Sequence, residues 1–139
     1  MQFLLVLLFQ MHSLCQAYDD SIIWNLETYQ GQDYIIKGGK VSNTLCEGVV
    51  NINRVYYGIV EDYSLNKDTL TIEINESKYQ LFSGSSYEVL KVYSQVVYTL
   101  TEPEGVRYIK IANENEFSIL LSDYYDRSTF EDLTVLNCK

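Results

Sequence analysis

The fold class this sequence predicts is all-β, an up-and-down antiparallel barrel of about eight strands, and three observations predict it. Apolar residues recur at every second position, most clearly where Leu70, Ile72 and Ile74 alternate with Thr69, Thr71 and Glu73. Short polar segments separate such runs: Asn66-Lys67-Asp68, Asn75-Glu76-Ser77, Ser83-Gly84-Ser85-Ser86, Glu102-Pro103-Glu104-Gly105 and Asn113-Glu114-Asn115-Glu116. No stretch sustains a three-four spacing, so no long helix is expected. Strands of this kind must close on themselves or pack against a second sheet, because an open sheet leaves its edges bare. Counting roughly eight or nine strands from Trp24 favours closure, which leaves room for one small ligand. A β-sandwich is the alternative.

In chain order, Met1 to Ala17 carries no charged side chain, holds the apolar run Phe3 to Phe9 and ends in Cys15-Gln16-Ala17. It reads as a cleaved secretory signal, too short to span a bilayer as a retained helix. Residues 18–139 then form a single domain, secreted and extracellular. Tyr34, Ile35 and Ile36 make a β-branched and aromatic strand, and Gly38-Gly39 suits a turn. A loop through Ser42, Asn43 and Thr44 leads to Cys46 and a second strand in which Val50 and Ile52 alternate with Asn51 and Asn53. In the run from Glu88 to Leu100 the apolar set is Leu90, Val92, Val96, Tyr98 and Leu100; Ile109 with Ile111, then Phe117, Ile119 and Leu121, repeat the period.

Cleavage after Ala17 removes Cys15 and His12, leaving Cys46 and Cys138 and no histidine. Two cysteines in a secreted chain suggest one disulfide, Cys46–Cys138. Closing that loop would destabilise the unfolded chain by roughly 4–5 kcal/mol in the chain-entropy account.

With 19 acidic and 10 basic residues the net charge is -9, which disfavours nucleic acid and anionic membranes as partners and weakly favours a cationic ligand. Without histidine a hydrolase triad or His-based metal site is excluded, and no phosphate-cradling loop or EF-hand pattern occurs. Neighbouring carboxylates such as Glu61-Asp62 would point to opposite faces of a strand. The chain is therefore expected not to be an enzyme, and to need no cofactor and no metal. Its compositional anomaly is 13 tyrosines, large apolar faces with a polar tip. Asn75-Glu76-Ser77 is a glycosylation sequon in a turn.

The run Tyr29-Gln-Gly31-Gln-Asp33-Tyr34-Ile35 resembles the first signature of the lipocalins, with Asp33 where the family has tryptophan. Tyr108 to Ser122 is similar to the second signature, with Asn113 for an aspartate and Phe117 for a tyrosine; the third, an arginine, is absent. Tyr29-Gln-Gly31 with Tyr34 also resembles the opening of a βγ-crystallin Greek key. The lipocalin resemblance implies a carrier that buries a small apolar or amphipathic ligand in its barrel. Tyr34, Leu70, Ile72, Tyr79, Leu90, Val92, Val96, Tyr98, Ile109 and Phe117 are the candidate lining residues. The alternative is a secreted sandwich or crystallin-like module acting through a protein partner.

Overall fold

In the computed structural model, which describes residues 23–38, 44–114 and 123–138, the strands form two separate three-stranded sheets. The first has the order β1-β2-β6, with β1 Trp24–Tyr29, β2 Gln32–Lys37 and β6 Thr134–Asn137. The second has the order β3-β4-β5, with β3 Val60–Asn66, β4 Thr69–Ile74 and β5 Tyr108–Ile111. Each sheet is an antiparallel hairpin joined by a third strand parallel to the hairpin's second one. The expected closed barrel is not formed, and the chain is mixed α/β rather than all-β. The signal segment and the predicted strand from Phe117 to Leu121 lie outside the described residues.

The β1–β2 hairpin turns at Gln30 and Gly31, both at positive φ (51° and 79°), which a two-residue turn of the I′ type requires. The residues that carry the first lipocalin signature and the crystallin resemblance thus build this turn and its flanks. Leu26 faces Ile35 in the ladder, and both are fully buried.

Two predicted strands are helices. Leu45–Val55 forms α1, capped by Thr44, whose side chain accepts from the Glu47 N–H at 3.1 Å. Ser86–Leu100 forms α2, where Ser85 and Glu88 make a reciprocal capping box. The alternation read in Glu88 to Leu100 failed because α2 is buried on nearly every side from Val92 to Leu100. Tyr93 and Val97, outside the alternating set, are as buried as Val92 and Val96. In α1, Val50 is exposed while Val49 and Ile52 are buried, which is helical spacing.

The two parallel pairings need long crossovers, and α2 supplies the one from β4 to β5. It touches β1, β5, α1 and the 3-10 helices Glu76–Phe82 and Arg127–Phe130, so it is the centre of the core. Polar groups on the helices serve the β1 edge: Gln95 Nε2 donates to Trp24 O (3.2 Å) and Asn25 Oδ1 (3.0 Å), and Asn51 Oδ1 accepts from Ile23 N (3.2 Å).

Cys46 is an exposed free thiol in the first turn of α1, so the expected Cys46–Cys138 bridge is not formed. The helix, in place of the expected loop and strand, turns this side chain toward solvent.

The Tyr56 hydroxyl is buried without a partner, and burial holds it above the usual tyrosine range. Tyr56→Phe should leave stability unchanged or raise it by a few tenths of a kcal/mol at pH 8, since the folded state then strips no hydroxyl of water. A folded pKa above the unfolded value of about 10 means that stability present below pH 10 is lost above it. The phenylalanine variant should be spared that loss, which urea melts at pH 8 and 10.5 would check.

Candidate functional site: an acidic sheet edge

Six of the ten residues expected to line a ligand cavity are instead packed into the core: Leu70, Ile72, Val92, Val96, Tyr98 and Ile109. Tyr34, Tyr79 and Leu90 are half-buried, and Phe117 lies outside the described residues. Surface grooves lined by described residues take at most one each, Ile72, Tyr79 or Leu90. The period-two aliphatics meet in the hydrophobic core.

What the core leaves bare is β3. Apart from Val60, every residue of this strand is exposed, and among the described residues β4 is its one neighbour in the sheet. Asn66 and Thr69 flank a two-residue turn with Lys67 at positive φ, and the register pairs Ser64 with Thr71, Tyr63 with Ile72 and Leu65 with Leu70. Residues directly opposite share a face. Tyr63 and Leu65 therefore stand on the same side as the buried Ile72 and Leu70, yet they are 39% and 46% exposed. The inner face of β3 overhangs the core.

In an antiparallel ladder hydrogen-bonded and non-hydrogen-bonded pairs alternate. Counting from the turn-flanking pair Asn66 and Thr69, Tyr63 and Leu65 fall at the non-bonded positions, with their amides facing away from β4. In agreement, Tyr63 N–H donates to Asp62 Oδ1 at 2.9 Å. Asp62 thus covers one outward donor and sets a charge on the edge, two devices that discourage uncontrolled strand pairing.

The edge is acidic. Asp62 faces Glu73 directly across the ladder, a like-charge pair, and the register shifts between Val60 and Asp62 at a bulge containing Glu61. A groove of about 270 Å³ continues from this end, lined by Glu61, Glu73, Ile74, Asn75, Glu76, Tyr79 and Asn113. The two ion pairs among the described residues both involve Glu102, so these carboxylates carry no described counter-charge. They do not converge as metal ligands would.

Asn113 shapes the groove by extending the sheet: its amide accepts from Ile74 N (3.0 Å) and donates to Ile74 O and the Tyr79 hydroxyl (both 2.8 Å). Asn75, the sequon residue, is half-buried and caps the following 3-10 helix, its Oδ1 accepting from Ser77 N at 3.0 Å and Ser77 Oγ at 2.8 Å. Sequence reasoning dismissed Glu61-Asp62 as ordinary exposed charge. The missed signal was their place beside an apolar pair, Tyr63 and Leu65, on a strand with no second neighbour among the described residues. Among the described residues no helix is long and apolar enough to cross a membrane. The chain matches no family model, no curated protein and no solved structure.

Proposed function

We propose that this is a secreted, non-catalytic binding module that takes an extended, basic segment of a protein partner along the free edge of β3. The single observation that carries this reading is the edge itself: an outward-facing N–H at Leu65 and outward carbonyls at Tyr63 and Leu65, beside an exposed apolar ledge in an acidic surround. Strand addition draws affinity from main-chain hydrogen bonds and specificity from alternate side chains. Here alternate residues of the incoming strand would rest on Tyr63 and Leu65, and a lysine or arginine would reach the carboxylates of Glu61, Glu73 and Glu76. The net charge of -9 would raise the association rate with a cationic partner and make binding salt-sensitive.

The test is titration of the protein with a labelled eight-residue peptide of alternating lysine and valine, read by fluorescence anisotropy. Leu65→Pro removes an outward N–H without touching the ladder to β4, a substitution that sheet edges accommodate. It should weaken binding at least about tenfold, roughly 1.4 kcal/mol, with circular dichroism unchanged. Absence of binding, equal binding by the proline variant, or equal binding of a lysine-proline peptide that cannot form a strand would overturn the reading.

A further inference from the structure

At a different place on the molecule, the C-terminal end of α2 and strand β1 converge on one arginine. Arg127 Nε donates to Thr101 Oγ1 (3.0 Å), and its Nη2 donates to Tyr98 O (3.0 Å) and Glu102 Oε2 (2.8 Å). Its guanidinium lies 4.7 Å from the Tyr98 ring centre and 5.2 Å from that of Trp24. Glu102 also accepts from Lys37 Nζ and, at 3.3 Å, from Trp24 Nε1. These contacts occupy the Nε hydrogen and both Nη2 hydrogens of the five that a guanidinium offers, which leaves the two on Nη1.

The Arg127 side chain is 40% exposed and lines a groove of about 310 Å³ with Thr101, Val106, Arg107, Asp126 and Ser128. Arg107 brings a second guanidinium, exposed and without an ion-pair partner among the described residues. Asp126 is the groove's own acid, and its Oδ1 is engaged by Thr129 N at 3.2 Å and by Ser128 Oγ. Lys37, Arg107 and Arg127 against Glu102 and Asp126 leave one net positive charge, in a chain whose total is -9.

We propose that this groove binds a small organic carboxylate, with Arg127 and Arg107 holding the oxyanion and the body of the molecule lying against Val106. A guanidinium already fixed by three hydrogen bonds and two rings loses little freedom when a ligand arrives, and its free Nη1 hydrogens offer a charge-assisted bond to one carboxylate oxygen. One residual positive charge matches a monoanion better than a phosphate dianion. The reading is independent of the β3 edge.

The experiment is a titration of ¹⁵N-labelled protein with benzoate, benzyl alcohol and inorganic phosphate in parallel, followed by amide shifts. Benzoate should move the amides of Thr101, Val106, Arg107, Arg127 and Ser128 in a saturable way, with benzyl alcohol and phosphate each at least about tenfold weaker. Arg107→Gln, at an exposed position outside the core, should weaken benzoate at least about fivefold and leave the rest of the spectrum in place. No saturable shift with benzoate, shifts at other residues, equal response to benzyl alcohol, tighter phosphate, or an unaffected glutamine variant would each overturn the assignment.

Discussion

Glu102→Ala should lower the stability of the fold by about 3–5 kcal/mol, as expected when one member of a largely buried ionic network is removed. Lys37 and Glu102 side chains are only 11% and 14% exposed, and Arg127 draws on the same carboxylate. Alanine would strand Lys37 in a poorly hydrated position, leave the Trp24 N–H without its acceptor and loosen Arg127 from the Tyr98 face. The effect should reach both ends of the chain, since β1, β2 and the 3-10 helix at Arg127 each lose a tie.

The same group has a defined pH signature. Burial alone would push the Glu102 carboxyl upward, but hydrogen bonds and charges from Lys37 and Arg127 outweigh it and hold the carboxyl below its usual range. A lowered folded pKa stabilises the fold above the unfolded value of about 4.3 and ceases to do so as pH falls through the folded value. Urea melts at pH 7 and pH 3 should show the native chain losing more stability than the alanine variant over that interval. A loss at pH 7 below about 0.5 kcal/mol would place Glu102 among ordinary surface ion pairs.

Glu114→Leu should cost about 2–5 kcal/mol, while Glu114→Gln should cost well under half of that. Glu114 is 5% exposed, and its Oε2 accepts from the hydroxyls of Tyr93 (2.9 Å) and Tyr125, each only 1% exposed. The two rings are 5.0 Å apart, and Phe82 lies against Tyr93 at the same distance, so the aromatic cluster cannot rotate its hydroxyls out to water. Leucine removes the one carboxylate oxygen on which both buried hydroxyls converge. Glutamine keeps a carbonyl oxygen for them.

Burial, with the Glu114 hydrogen bond next and then the neighbouring Tyr93 and the Glu114 charge, holds the Tyr125 hydroxyl well above the usual tyrosine range. Its stabilising contribution is therefore present below pH 10 and lost as the unfolded chain ionises above it. Thermal melts of the two variants at pH 7 give the comparison, and equal losses for leucine and glutamine would show that the hydrogen bonds to Glu114 contribute nothing beyond packing.

Local preference and the ladder of alternating residues account for what could be read directly. The strands β2, β4 and β5 and the turn at Lys67 stand where period two and turn chemistry put them. Both helices also announced themselves, in Thr44 to Glu47 and Ser85 to Glu88, a hydroxyl residue followed three places later by glutamate. Period two masked α2 because a helix buried on nearly all sides has apolar residues at every spacing, and it masked α1 because the exposed Val50 alternates with the buried Ile52. Asn113 and Asn75 looked like turn residues and are, but only the fold reveals that one completes β4 and the other opens a 3-10 helix.

What the sequence by itself determined is which segments are apolar enough to bury, where the chain must turn, and that the surface is strongly negative; these follow from residue type and spacing alone. Which strands pair, whether a sheet closes, and which of many charges face one another depend on contacts far apart in the chain. The parallel partners β2 with β6 and β4 with β5 are examples, as is Arg127 meeting Glu102 and Lys37. Only the tertiary structure decided those, and with them the bare edge of β3. That β3 has no second partner among the described residues is a property of the arrangement around it, which no residue of the strand encodes.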